Sequence, residues 1–297
     1  MKSLNLIALV LIIGVGLVSC STSKNATPTR LAGNWQPVPI IVDGKNNDWP
    51  TPHPDYDEKA MLGYAVSNDK DNLYIIVETG DLATQLKILQ GGLTVWIDRK
   101  AEKNEETAIN FPIPAESKNG KTTGKRRPNM YGSGPDKVRI MLEDRVAELV
   151  KEAKEYSLQG FKACNLQYPI EATDSCGIMV RMAIDADNEL VWEAVIPFKS
   201  FYYKPELTRA DKGRALSICI ETTGQAPIED DLLITGGGNS NAGAARPRPA
   251  MSFGIGGMGM GMQMGGGGAR PVDPNAGILE PLYKSTKTWK KFGLGFQ

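Results

Sequence analysis

Ile40-Ile41-Val42-Asp43-Gly44-Lys45-Asn46-Asn47-Asp48-Trp49 is the stretch whose reading decides the fold. A short β-branched run stops at Asp43-Gly44, a turn dipeptide, and a second polar turn delivers a tryptophan. The same grammar recurs downstream. Asn72-Leu73-Tyr74-Ile75-Ile76-Val77, Leu93-Thr94-Val95-Trp96-Ile97-Asp98 and Leu190-Val191-Trp192-Glu193-Ala194-Val195-Ile196-Pro197 each read as a strand bounded by turn residues.

Outward from these blocks, 35–42 reads as an entry strand, and 61–66 with 73–79 as a hairpin. The Ser67-Asn68-Asp69-Lys70-Asp71-Asn72 cluster joins the hairpin, because Asn and Asp side chains bond their own backbone. The stretch 82–90 is a short helical or irregular link stopped by Gly91-Gly92. Residues 93–97 are apolar on both parities apart from Thr94, as a central strand would be. A strand over 108–113 ends, or lies at an edge, where Pro112 and Pro114 withdraw donors. Further strands are expected at 156–163, 168–172, 178–184, 189–196 and 215–222, with a compact turn at 198–203. Short strands separated by turn residues predict an all-β, antiparallel β-sandwich. One segment departs from the pattern. Leu142, Val146, Leu149, Val150 and Ala153 recur at helical spacing opposite Glu143, Asp144, Glu148 and Lys151, which predicts one amphipathic helix packed on the sandwich.

Two stretches lack folding signals. Residues 115–136 are rich in Gly, Lys and Pro, with Lys125-Arg126-Arg127 as a solvated loop. Within 236–272, Met258, Met260, Met262 and Met264 alternate with Gly or Gln. Such composition buries too little surface to offset ordering entropy, so a long disordered Gly/Met-rich loop is expected. Residues 273–297 resume order, and Trp289, Phe292, Leu294 and Phe296 suggest a closing strand. The expected layout is 1–20 leader, 21–34 tether, 35–235 sandwich, 236–272 loop and 273–297 closing segment.

The leader begins Met1-Lys2, runs apolar over 4–18 and reaches Leu17-Val18-Ser19-Cys20, a secretory signal pattern. The tetrapeptide resembles a bacterial lipobox, which implies lipidation of Cys20 and membrane anchoring through the acyl chains. The polar tether carries Lys24 and no acidic cluster. Set beside Bacteroidetes-type lipoproteins, where acidic residues there favour surface export, this implies an outer-membrane lipoprotein facing the periplasm. The 297 residues balance to net charge zero, so no electrostatic case exists for nucleic acid. Cys164 and Cys176 are candidates for a disulfide in an oxidising compartment, and Cys219 reads as a small buried apolar residue.

The four quoted blocks resemble the family 9 carbohydrate-binding modules and their DOMON-like relatives, over roughly 37–221. Those proteins carry an "IDG-x-x-D-W" turn, "LY-x-x-V" and "x-W-I-D" strands and a closing "W-E-A-x-I-P". The resemblance implies a non-catalytic ligand-binding sandwich, plausibly capturing glycans at the cell envelope. The alternative is a structural or assembly lipoprotein contacting another envelope protein. Catalysis finds no support, since His53 is the single histidine and triads or zinc sites need partners for it. Aromatic faces for stacking on sugar rings are offered by Trp289, Trp49 and Tyr56, whereas Trp96 and Trp192 read as core. Ile88, Leu89, Gln90, Gly91 and Gly92 stand where sugar-binding members carry an aromatic and an acidic residue, so one wall of the clamp is missing. Trp289 falls where the second clamp aromatic is expected. No cofactor is required, but Asp69, Asp71 and Asn72, or Asp185, Asp187 and Asn188, offer oxygen ligands of the kind calcium takes. The methionine run offers thioethers of the kind Cu(I) takes.

Overall fold

The hairpin across 67–72 forms as its turn chemistry requires. In the computed structural model, which describes residues 33–49, 55–113, 134–162, 164, 166–171, 176–202, 204–225 and 279–297, β2 (Leu62–Asn68) pairs antiparallel with β3 (Asn72–Thr79). Asp69 closes the turn by accepting the amides of Asp71 and Asn72 at 2.7 and 2.6 Å. β1 (Asp55–Asp57), β8 (Met179–Ile184) and β9 (Leu190–Pro197) complete a five-stranded sheet in the order β1-β2-β3-β9-β8.

The second sheet is six-stranded, in the order β11-β10-β4-β5-β6-β7. It comprises β4 (Leu93–Asp98), β5 (Thr107–Phe111), β6 (Glu155–Gln159), β7 (Gln167–Pro169), β10 (Ala215–Thr222) and β11 (Thr286–Gly293). Every pairing between named strands is antiparallel. The chain is an antiparallel β-sandwich, and β4 is central in its sheet, as its two-sided apolar pattern predicts.

Alternation places Leu73, Ile75 and Val77 of β3 and Trp192, Ala194 and Ile196 of β9 on one inner face. Val95 and Ile97 of β4, Ile109 and Phe111 of β5, and Ile218 and Ile220 of β10 meet them from the other. Trp192 donates its indole N–H across the core to the Phe111 carbonyl at 3.2 Å, so the largest inner side chain is also polar-satisfied. α1 (Leu82–Gly91) and α2 (Pro135–Glu152) feed the same core through Ala83, Leu86, Leu89, Val138, Leu142 and Val146. α2 starts seven residues before the predicted 142, because Pro135 seeds its first turn and Val138 already carries the buried stripe. The expected turn at 198–203 is a one-turn helix, α3 (Phe198–Phe201). The strands expected at 156–163 and 168–172 are shorter, at Glu155–Gln159 and Gln167–Pro169.

The entry segment departs further from expectation. Only Trp35 makes a bridge, to Asn68, and 36–42 is extended chain outside both sheets. Ile40 and Val42 lie on a sheet face instead of extending a sheet edge, while Val38 and Ile41 stay exposed. Ile40, Val42 and Trp49 cover Ala65, Tyr74, Ile76, Val191 and Val195, a second apolar cluster on the outer face of the five-stranded sheet. Glu193, fully buried in that face, holds the cover down. Its carboxylate accepts the Trp49 indole N–H at 2.8 Å and the amides of Gly44 and Asp43 at 2.7 and 3.1 Å. Gly44 sits at φ +82°, and a Cβ there would stand 2.8 Å from that of Ala183. Burial pushes the Glu193 carboxyl above its ordinary value, while the Trp49, Gly44 and Asp43 hydrogen bonds pull it back.

Asn68 ties the two ends of the described unit together. It exchanges hydrogen bonds with Gly295, whose amide donates to its side-chain oxygen at 2.8 Å, and Trp35 packs on Phe296 at 5.4 Å between ring centres. Trp289, Phe292, Leu294 and Phe296 do not share one face: Phe292 lies opposite Leu216, and Trp289 opposite Cys219. Cys164 and Cys176 form a disulfide with their Cα atoms 6.2 Å apart. The leader with Cys20, most of the tether, His53, the 115–133 part of the insertion and the 236–272 loop lie outside the described residues. Among those described, no helix is long and apolar enough to cross a membrane.

Two substitutions test this framework. Glu193→Ala removes the carboxylate that the Gly44, Asp43 and Trp49 N–H groups share and should lower the unfolding free energy by about 3 kcal/mol in urea titrations, at unchanged m-value. Asp211 gives a pH signature. Burial opposes its ionisation, but the Lys204 ammonium, the Thr208 amide and hydroxyl, and Arg214 outweigh it and hold the carboxyl down to about 2. Its stabilisation is therefore present above the ordinary carboxylate range and lost as pH falls towards about 2. Asp211→Asn should remove about 2 kcal/mol of that acid-limb dependence, read by thermal unfolding across the window.

Candidate functional site

The outer face of the six-stranded sheet differs from its counterpart. The clusters of buried apolar side chains lie between the sheets and on the five-stranded sheet's outer face; among the described residues none is packed here. Strand register decides what this face displays. Cys219 of β10 lies directly opposite Trp96 of β4 on one side and Trp289 of β11 on the other, and Trp96 lies opposite Ala108 of β5. Side chains directly opposite on neighbouring strands stand about 5 Å apart at Cβ. The row Trp289–Cys219–Trp96–Ala108 therefore forms an aromatic strip across the sheet, with Cys219 fully buried between the two indoles. Burial pushes its thiol up to about 12, so it is a packing residue without thiolate chemistry.

Trp96 was expected in the core, and this is a correction. It carries the parity opposite to Val95 and Ile97, so it points outward and stays half-buried. A polar network fixes it. Its indole N–H donates to Glu221 Oε2 at 2.7 Å, and the Lys287 ammonium lies 5.7 Å from its ring centre. Lys287 in turn bridges Glu105 at 2.6 Å and Glu221 at 2.9 Å, which holds its ammonium well above the ordinary lysine range. On the far side of Trp289, Lys291 shares the same face and is exposed. Trp289 itself is half-buried, and Lys287 and Lys291 flank it along β11.

The sequence-predicted aromatics do not converge. Trp49 is nearly fully buried under the entry loop with its N–H given to Glu193, so it offers no stacking surface. Tyr56 is exposed, but it lies on β1 opposite Gly63, with the outward parity of the other sheet. Asp57, its neighbour, faces inward and accepts the Thr288 hydroxyl, so β1 and β11 touch while Tyr56 and Trp289 point to opposite faces. Register, which joins residues distant in sequence, is what assembles Trp289 with Trp96, Glu221, Lys287 and Lys291. No single segment carries that signal.

Each oxygen cluster weighed as a calcium site has its leading aspartate bonded into its own turn. Asp69 gives one oxygen to two amides and the other to the Tyr74 hydroxyl at 2.6 Å, and Asp185 accepts the amides of Asp187 and Glu189. Among the described residues no group of three or more His, Cys, Asp or Glu side chains is placed to hold a metal. The methionine run lies outside the described residues.

No family model matches the chain, and no curated protein matches it. Among solved structures it is similar to a family 9 carbohydrate-binding module from Caldicellulosiruptor kristjanssonii in complex with glucose. The identity is 9%, covering 65% of this chain and 78% of that chain, with a TM-score of 0.30. A structure of such a module from the same organism in complex with cellotriose gives 10% identity, 65% and 75% coverage, and a TM-score of 0.30. Both likenesses are distant.

Proposed function

We propose that this protein is a non-catalytic, membrane-anchored lipoprotein that captures glycans at the cell envelope on the outer face of its six-stranded sheet. The observation that carries the reading is the Trp289–Cys219–Trp96 row, on a face that no apolar segment among the described residues covers. Sugar rings stack on aromatic faces while a few oriented polar groups meet their hydroxyls. Trp289 supplies the stacking ring, and Glu221, Lys287 and Lys291 supply the polar rim. Trp96 acts beneath them as a braced support, since Lys287 lies over its ring. Anchoring rests on the lipobox-like Leu17-Val18-Ser19-Cys20. The periplasm-facing placement rests on the tether's lack of an acidic cluster.

Lys287 over Trp96 also favours the second reading, an assembly lipoprotein whose braced face meets another envelope protein, because it occupies a ring surface a sugar would use. A glycan array with the chain from Ser21 onward separates the two. Saturable binding that falls at least about tenfold in Trp289→Ala supports the glycan reading. Silence across plant, host and microbial glycans rejects it in favour of assembly. Lipidation has its own measurement: the full protein should partition into a detergent phase and Cys20→Ala into the aqueous phase. Aqueous partitioning of the unsubstituted protein would sink the anchor.

A further inference from the structure

Lys287 stands where a stacking ligand would. From β11 its side chain crosses β10 to bring the ammonium 5.7 Å from the Trp96 ring centre on β4, two strands away. Neighbouring strands lie about 4.8 Å apart, so the side chain is drawn out across the sheet. Glu221, on β10 directly opposite Lys287, lies along that path. Its carboxylate takes the Trp96 indole N–H at 2.7 Å and the ammonium at 2.9 Å.

A second hold on the ammonium comes from outside the sheet. Glu105, in the 99–106 loop between β4 and β5, meets it at 2.6 Å. That loop is firmly set. Asp98 gathers the amides of Lys100, Glu102 and Asn104, Ala101 is buried, and Ala101 and Lys103 take φ of +57° and +67°. Left-handed backbone at residues other than glycine is costly and persists where the surroundings over-determine it. Glu105 is therefore presented at a fixed place, yet the contact it makes is releasable. The Lys287 and Glu105 side chains are 36% and 49% exposed, and exposed ion pairs are weak and screened by salt.

We propose that Lys287 is an autoinhibitory arm, held over the Trp96 ring by Glu105, and that a ligand gains this ring only by displacing it. The inference rests on the reading of this face as a glycan site and adds the control of that site. With the arm down, stacking is confined to Trp289. With the arm off, Trp96 becomes a second stacking ring, and the freed ammonium joins Lys291 at the rim. A site closed in most molecules shows an affinity reduced by its open fraction, so loosening the hold tightens binding.

Acrylamide quenching of tryptophan fluorescence, on the full chain in detergent, reads the arm without any glycan. The share owed to Trp96 is the difference from Trp96→Phe made in each background. That share should rise about two- to fivefold in Glu105→Gln, as loss of one exposed ion pair allows. It should also rise with salt in the unsubstituted protein, and be high and indifferent to salt in Lys287→Met. On the glycan array, Glu105→Gln should hold a neutral glycan more tightly by the same factor. Raised quenching with a silent array supports the arm and rejects the glycan reading. Array binding with Trp96 quenching equal in all three proteins overturns the arm and leaves the glycan reading in place. Equal quenching with a silent array overturns both.

Discussion

The buried carboxylate of Glu193 decides how the entry loop docks on the five-stranded sheet. Placing a charge in the middle of β9 is costly, because desolvation of an ion inside a protein amounts to several kcal/mol. Three donors offset it: the Trp49 indole and the amides of Gly44 and Asp43, about 150 residues away along the chain. Such a group contributes little net stability over an apolar replacement, yet it admits one docking of the entry loop, the one that brings all three N–H groups to it. That docking covers the five-stranded sheet with Ile40, Val42 and Trp49. Among the described residues no comparable apolar cover lies on the other sheet's outer face.

The same device recurs at smaller scale. Asp98 follows the outward Trp96 and turns back into the loop, accepting the amides of Lys100, Glu102 and Asn104 at 2.7–3.0 Å. Burial works against its ionisation, but those amides win and lower it below the ordinary carboxylate value. Asp69 and Asp211 gather turn amides in the same way. These acids shape loops, and Asp69 and Asp185, which resemble cation ligands on paper, serve their own turns. The loop Asp98 shapes carries Glu105 to Lys287 on one side and brings Glu106 to Arg99 on the other.

Much of the fold was legible in the sequence. The β2–β3 and β8–β9 hairpins, the central β4 and the amphipathic α2 follow from turn residues and periodicity, which are local. What periodicity leaves open is which of two alternating faces is the core. Trp96 and Trp192 both sit among apolar neighbours; register with Cys219 turns the first outward, and the Phe111 carbonyl receives the second inside. Tyr56 and Trp49 looked available for the same local reason, and pairing with Gly63 and Glu193 assigns them elsewhere. The entry strand failed differently. A β-branched run signals burial as readily as pairing, and at Ile40 and Val42 contact with a sheet face won over hydrogen bonding at an edge. The polar rim around Trp289 was invisible because Glu105, Glu221 and Lys287 meet only through tertiary structure.

Thr222 of β10 lies opposite Thr286 of β11, their hydroxyls 2.7 Å apart, and just beyond them the Gln225 amide reaches the Leu282 carbonyl. The chain therefore leaves the sheet and returns to it through a closed neck. Loop-closure entropy grows only logarithmically with length, about 0.6 kcal/mol per doubling. Two strand ends pinned together in this way are a natural port for grafting: a foreign domain or tag spliced between them would leave from a fixed point at the ends of β10 and β11, and its length would add little closure cost.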